Sequence, residues 1–240
     1  MTPVVGLDLS ARGSAAVYLD GSGQIRRAIF FSSKKTLVKK YADHNGLFEG
    51  FLSPDCAPYD ESAVFQRTIN TVETIMSFIA HWAPAVIGIE QIPFSATGQH
   101  RDQLYDLHAL LRYAATSGGL AYKEAVFPLR YYLATDAKIY ATGKGNSLKP
   151  AMIAAAEAEG WELEQFGKSA EDLADAYWIA RMLQTELALR DGSLNLMNLS
   201  NEHLRVFNKP PVMKKGRKEP APGYLDRPFL QLTAPAPFSP

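Results

Sequence analysis

Cysteine is almost missing: Cys56 stands alone among 240 residues. A single thiol excludes an internal disulfide and a thiol-rich metal site, so the fold needs no oxidising compartment and a cytoplasmic setting is expected. Histidine is scarce too. His44, His81, His100, His108 and His203 include no pair four residues apart, which leaves zinc without its usual helical ligands. No apolar run approaches the roughly 18 residues of a membrane span. No charged start precedes an apolar signal core, so neither a span nor export is expected. Net charge is absent as well: 25 Lys and Arg balance 25 Asp and Glu, and overall charge points neither toward nor away from nucleic acid. The full phosphate-loop pattern is lacking, although Gly143-Lys144-Gly145-Asn146-Ser147 resembles part of it, which argues against a nucleotide kinase of that class.

What is present is a core. Hydrophobic residues make up 47% of the chain and charged residues 21%, the balance of a soluble folded protein of one core-forming domain with extensions, or at most two small ones. Apolar runs at Val4 to Ser10, Ala15 to Leu19 and Ile25 to Phe31, joined through Arg12-Gly13 and Asp20-Gly21-Ser22-Gly23, predict an antiparallel meander. Helical spacing of Val64, Ile69, Val72, Ile75, Met76 and Ile79 predicts a helix from Glu61 to Trp82, stopped by Pro84. Ala85 to Ile89 is β-branched on both sides and should be a central strand. A helix over Gln103 to Tyr113 and a strand over Leu120 to Phe127 follow. Ser147 is expected to cap a helix running through Ala151 to Glu159, and Ser169 one from Ala170 to about Arg190 whose alanine-rich face must pack closely. The fold class is therefore α/β, a mixed five-stranded sheet with its first three strands antiparallel, flanked by helices. Residues 1–190 would form this domain, with a loop inserted at about 41–60, and the Pro-rich, basic residues 191–240 a tail or arm.

Four carboxylates stand out by position. Asp8 sits inside the first apolar strand and Glu90 closes the buried one, while Asp172 and Asp175 share a helix face beside small alanines. Each has an ordinary explanation except the last. Asp8 and Glu90 could be strand-end acids facing water, and Ser169-Ala170-Glu171-Asp172 fits a capping box. Asp175 lies a turn further into an apolar helix, where an unpaired charge is costly. If the four converge, their repulsion calls for a cation, and an all-oxygen donor set selects magnesium or manganese over zinc. Two such ions support in-line phosphodiester hydrolysis.

The ordered set resembles the RuvC-type Holliday junction resolvases of the RNase H-like superfamily, particularly phage-encoded relatives, over roughly Val4 to Leu183. Asp8 matches the family's strand-one aspartate, Glu90 the glutamate ending strand four, and Asp172-Leu-Ala-Asp175-Ala the D-x-x-D-A of the last helix. The resemblance implies an RNase H-like sheet and two Mg2+ ions, with Mn2+ a possible substitute, held by Asp8, Glu90, Asp172 and Asp175. It further implies cleavage of four-way junctions or related branched DNA by a homodimer, in the cytoplasm of a bacterial cell or a phage-infected host. Lys138, then Gly143-Lys144-Gly145, then Lys149 resembles the family's K, G-x-G, K segment, so that Lys138, Lys144 and Lys149 would contact phosphates near the cut and Lys149 assist the reaction. Phe94 matches an aromatic that enters the junction centre, although Pro93 is an extra residue before it.

Two basic clusters, Lys34 to Lys40 and the six basic residues of Arg205 to Lys218, become possible phosphate contacts in that setting and are otherwise solvated surface. Two rival readings remain. An actin-like or sugar-kinase-like ATP-binding protein also begins with an Asp before a small-residue turn, but needs roughly 350 residues over two domains. A non-catalytic DNA-binding module could keep the fold without needing all four acids.

Overall fold

The computed structural model describes residues 1–11, 13–42, 46–55, 57, 60–92, 101–117, 126–209 and 223–231. Its strands are β1 (Val4–Asp8), β2 (Ala15–Leu19), β3 (Ile25–Ser32), β4 (Phe48–Leu52), β5 (Val86–Glu90) and β6 (Leu129–Tyr132). The helices are α1 (Lys35–Lys40), α2 (Glu61–Trp82), α3 (Arg101–Ser117), α4 (Ala134–Thr142), α5 (Lys149–Ala158), α6 (Ser169–Arg190) and α7 (Asn201–Phe207). One mixed sheet runs in the order β4-β3-β2-β1-β5-β6. The meander of β1, β2 and β3 is antiparallel as expected, and β5 joins β1 in parallel through the crossover that contains α2.

The sheet has six strands rather than five. The extra one, β4, lies inside the segment read as a loop and pairs in parallel with β3. Its five residues are too few to show a period, and Asn45-Gly46 suggested a turn. What holds it is distant: Phe48 packs against Phe166 and Trp161, and Glu49 pairs with the buried Arg27 at 2.7 Å. The next described strand after α3 is β6. Of the predicted Leu120 to Phe127, residues 120–125 fall outside the described residues, and β6 starts only after Pro128. It carries Arg130, which disguises it as surface.

The two faces of β1 explain the layering. Val5 and Leu7 join a core with α2 and α3, whereas Val4 packs on the other side, against residues of α6. Successive side chains of a strand alternate faces, so Gly6 and Asp8 lie on the α6 side with Val4. Gly6 lets the helix come close. A Cβ there would lie 2.1 Å from the Ala176 carbonyl oxygen and 2.5 Å from the Ala180 nitrogen, backbone atoms that cannot turn aside. The alanine-rich face of α6 thus packs as tightly as its composition predicted. Gly6→Ala is expected to cost about 3 kcal/mol, the upper end of ordinary overpacking, read as a lowered urea midpoint at unchanged slope.

Neither expected serine cap forms. α5 begins with Leu148 at its cap position and Pro150 in its first turn, while the Ser147 hydroxyl bonds Thr142 Oγ1 at 2.5 Å. α6 starts at Ser169 itself with no side-chain cap, so Asp172 is released from the capping role.

Beyond α6 the described chain returns to the body. Arg205 of α7 donates to the Gly143 carbonyl at 2.7 Å, and Lys209 pairs with the buried Asp136. Glu186, wholly buried, is bracketed by Arg130 at 2.6 Å and Arg190 at 2.8 Å and accepts the Tyr132 hydroxyl at 2.7 Å. The same two guanidinium groups donate to the carbonyls of Tyr224, Arg227 and Pro228, and Leu230 bridges to Leu129 at the edge of β6. Among the described residues, no helix is long and apolar enough to cross a membrane.

Candidate active site

The parallel register of β1 and β5 sets the first half of the site. Val4 stands beside Val86 and Leu7 beside Ile89, so the next residues, Asp8 and Glu90, end neighbouring strands on the same face. That face is covered by α6. Its N-terminal turns carry Asp172 and Asp175 over the strand ends, which brings together four carboxylates from three elements distant in sequence. Asp172 also lies against the β1–β2 turn, where a Cβ on Gly13 would meet its Oδ2 at 2.7 Å.

Their electrostatics show the convergence. Asp8 is held well above the ordinary carboxylate range, first by burial and then by the charges of Glu90, Asp172 and Asp175. Burial, then Asp175, pushes Glu90 up to about 7. Asp172 is raised to about 7 by burial and Asp175 to about 6 by the same cause, each partly relieved by Lys149. A hydrogen bond with the Asp8 side chain also acts to lower the Asp172 value, which puts the two carboxyl groups within reach of each other.

Two lysines supply the counter-charge. Lys149, at the start of α5, acts on all four acids; Lys138, on α4, acts on Glu90 and Asp175. Burial works against the charge of Lys149, but Glu171 at 2.8 Å and the nearby aspartates outweigh it and raise its pKa. Lys144 is exposed in the turn between α4 and α5 and does not figure among the charges acting on the acids. Phe94 lies outside the described residues. Sequence reasoning missed Glu171, which orients Lys149, and Gly13, which admits the Asp172 carboxylate; an acid next to Asp172 and a glycine next to Arg12 were the available signals.

The donor set suits a hard cation. Four buried or half-buried carboxylates whose affinity for protons is raised first by burial and then by neighbouring acids would give up those protons to a divalent ion. Among the described residues, no three Asp, Glu, His or Cys side chains already close around one point as a metal site.

No protein-family model matches the sequence, and no curated protein matches it either. Among solved structures there are similar folds. The chain resembles the Thermus thermophilus RuvC structure at 17% identity over 79% of this chain and 96% of that one, with a TM-score of 0.47. Against Thermus thermophilus RuvC in complex with a Holliday junction substrate, the values are 14%, 80%, 98% and 0.48. Against the yeast mitochondrial Holliday junction resolvase Ydc2, they are 18%, 75%, 76% and 0.40.

Proposed function

We propose that the protein is a divalent-metal-dependent endonuclease that cuts four-way or related branched DNA. One observation carries this reading: β1, β5 and α6 deliver Asp8, Glu90, Asp172 and Asp175 to one sheet edge, with Lys138 and Lys149 beside them. A purely structural role would leave a cluster of acids that is costly when ionised and gains nothing for the fold.

In this reading Asp8, Glu90, Asp172 and Asp175 would hold two Mg2+ ions, with Mn2+ able to replace them. When bound, such ions would supply activation of a water molecule and stabilisation of the departing 3′ oxygen. The chain's own groups do the rest. Lys149, fixed by Glu171, and Lys138 offset the phosphate charge and orient the scissile strand, as cations beside a phosphodiester do. Hydrolysis would leave 5′-phosphate and 3′-hydroxyl ends. Lys144 and Phe94 would engage the substrate further out, at the exposed turn and beyond the end of β5. We assign catalysis to residues 1–190 and treat residues 191–240 as an arm on that body. Because a four-way junction offers two equivalent strands, the working form would be a homodimer.

A cleavage panel tests the assignment. Four-way junction, flap, fork, RNA–DNA hybrid and plain duplex, each with Mg2+, should show the junction nicked symmetrically and the duplex spared. Nucleotide binding with no cleavage of any substrate would defeat the reading in favour of an ATP-binding protein.

A further inference from the structure

At the edge where the acids meet, Gln91 directly follows the last residue of β5, and strand alternation would send it to the face opposite Glu90. There Gln91 lines a cavity of about 430 Å3 enclosed by α3, β6 and the segment around Arg227, within the roughly 300–1,000 Å3 range of ligand sites. The pairing of β5 and β6 holds up to its rim, where the Gln91 nitrogen donates to the Tyr132 carbonyl at 2.7 Å. Its lining is unlike the acidic cleft behind it. Among the described residues, Arg112 and Arg227 both line it, and no carboxylate does. In its wall His108, only 4% exposed, has an Nδ1 with no hydrogen-bond partner among the described residues, and the buried Tyr131 hydroxyl has none there either.

Two buried polar atoms left unsatisfied in one wall lower stability and give the fold nothing in return, which is the signature of groups kept for a ligand. Their chemistry narrows the ligand. Burial and the neighbouring Arg112 hold His108 neutral, so its imidazole offers an acceptor or a donor rather than a second positive charge. The Tyr131 hydroxyl is equally two-sided. Mixed neutral groups of this kind match the edge of a nucleobase, while guanidinium groups match a phosphate in a planar, two-pronged way. Tyr105, 47% exposed at the mouth, adds an aromatic face for stacking.

We propose that this cavity holds one nucleotide of the substrate strand, its phosphate on Arg112 and Arg227 and its base against His108, Tyr131 and Tyr105. The inference rests on the nuclease reading and extends it: the strand would cross the sheet edge with its reacting phosphate on the acidic face and a neighbouring nucleotide lodged on the other. Arg227 belongs to the segment clamped by Arg130 and Arg190, so that clamp also completes the cavity wall.

The test uses the full chain carrying Asp8→Asn, labelled with 15N at its five histidines. It is titrated without divalent ions, first with a thymidine dinucleotide and then with inorganic phosphate. The His108 resonance should move with the dinucleotide and far less with phosphate. Arg112→Gln, a change at an exposed position, should weaken that response roughly tenfold, the loss of one charge-assisted hydrogen bond, with Arg112→Lys recovering part of it. Tyr131→Phe should weaken dinucleotide binding while raising thermal stability, a combination that a packing role does not produce. A His108 signal that ignores the dinucleotide, or one that responds equally in Arg112→Gln, overturns the proposal. So does a shift that follows protein concentration instead, which would give the cavity to a second copy of the chain. Because the titration needs no cleavage, a silent His108 in a protein that still cuts junctions sinks only this pocket. A responsive one in a protein that cuts nothing sinks only the nuclease.

Discussion

Asp8→Asn is expected to slow cleavage of a four-way junction by at least about a thousandfold, equivalent to about 4 kcal/mol of lost transition-state stabilisation. Asparagine keeps the size and the hydrogen bond toward Asp172 but removes the charge that the reading assigns to metal ligation. Binding should survive, because the lysines that meet phosphate are untouched. Single-turnover cleavage in Mg2+ beside a gel-shift titration in Ca2+ separates the two effects. A variant that cuts within tenfold of the parent rate would remove Asp8 from the reaction. The folded protein should also become more stable, since one member of a repelling buried set has been neutralised.

The second large effect is on stability against pH. Glu90 and Asp172 are raised to about 7 and Asp175 to about 6, from ordinary values of 4.5 for the glutamate and 3.8 for the aspartates. Between those limits the folded protein binds more protons than the unfolded chain, so stability falls as pH rises. The penalty is absent below about pH 4 and keeps growing until the pH has passed the folded values of about 7. Taken together as one coupled set, these groups correspond to something on the order of 5 kcal/mol, or a loss of about 10 °C in melting temperature for a chain of this size. In EDTA, thermal melts from pH 4 to 7.5 should trace that decline. Mg2+ should restore most of the loss at pH 7.5 and little at pH 4.5, where protons already neutralise the site. A melting temperature that stays flat over this range, or is indifferent to Mg2+ at neutral pH, would mean that the four acids do not form a cation site.

The parts of this molecule that read directly from sequence are those whose cause is local. Asp8 and Glu90 were conspicuous because an acid at the end of an apolar strand is unusual, and Asp175 because its helix is otherwise apolar there. The close packing of α6 followed from its alanines. What local pattern could not supply was the register that sets Asp8 beside Glu90, since the pairing of β1 with β5 joins residues far apart in the chain. The same limit hid β4, whose stability comes from Phe166, Trp161 and Arg27 rather than from its own five residues. β6 was hidden by Arg130, which reads as surface until Glu186 is placed beside it. α4 carries a buried acid, Asp136, satisfied by Lys209 and Tyr224 from much later in the sequence. In each case the partner that makes the residue tolerable lies outside any window in which periodicity can be seen.

The clamp on the segment around Arg227 has a consequence for how the protein is made. Arg130 meets the Arg227 carbonyl across 97 residues of chain. At translation rates of about 5–20 residues per second, the ribosome needs roughly 5–20 s to reach the second after the first. During that interval the flank of β6 and the guanidinium of Arg130 await their cover, and the nascent protein must be shielded or must stay loosely packed there. Completion of the body in this sense lags well behind the emergence of β6, and slowing elongation between residues 130 and 227 should lengthen the time for which chaperones stay bound.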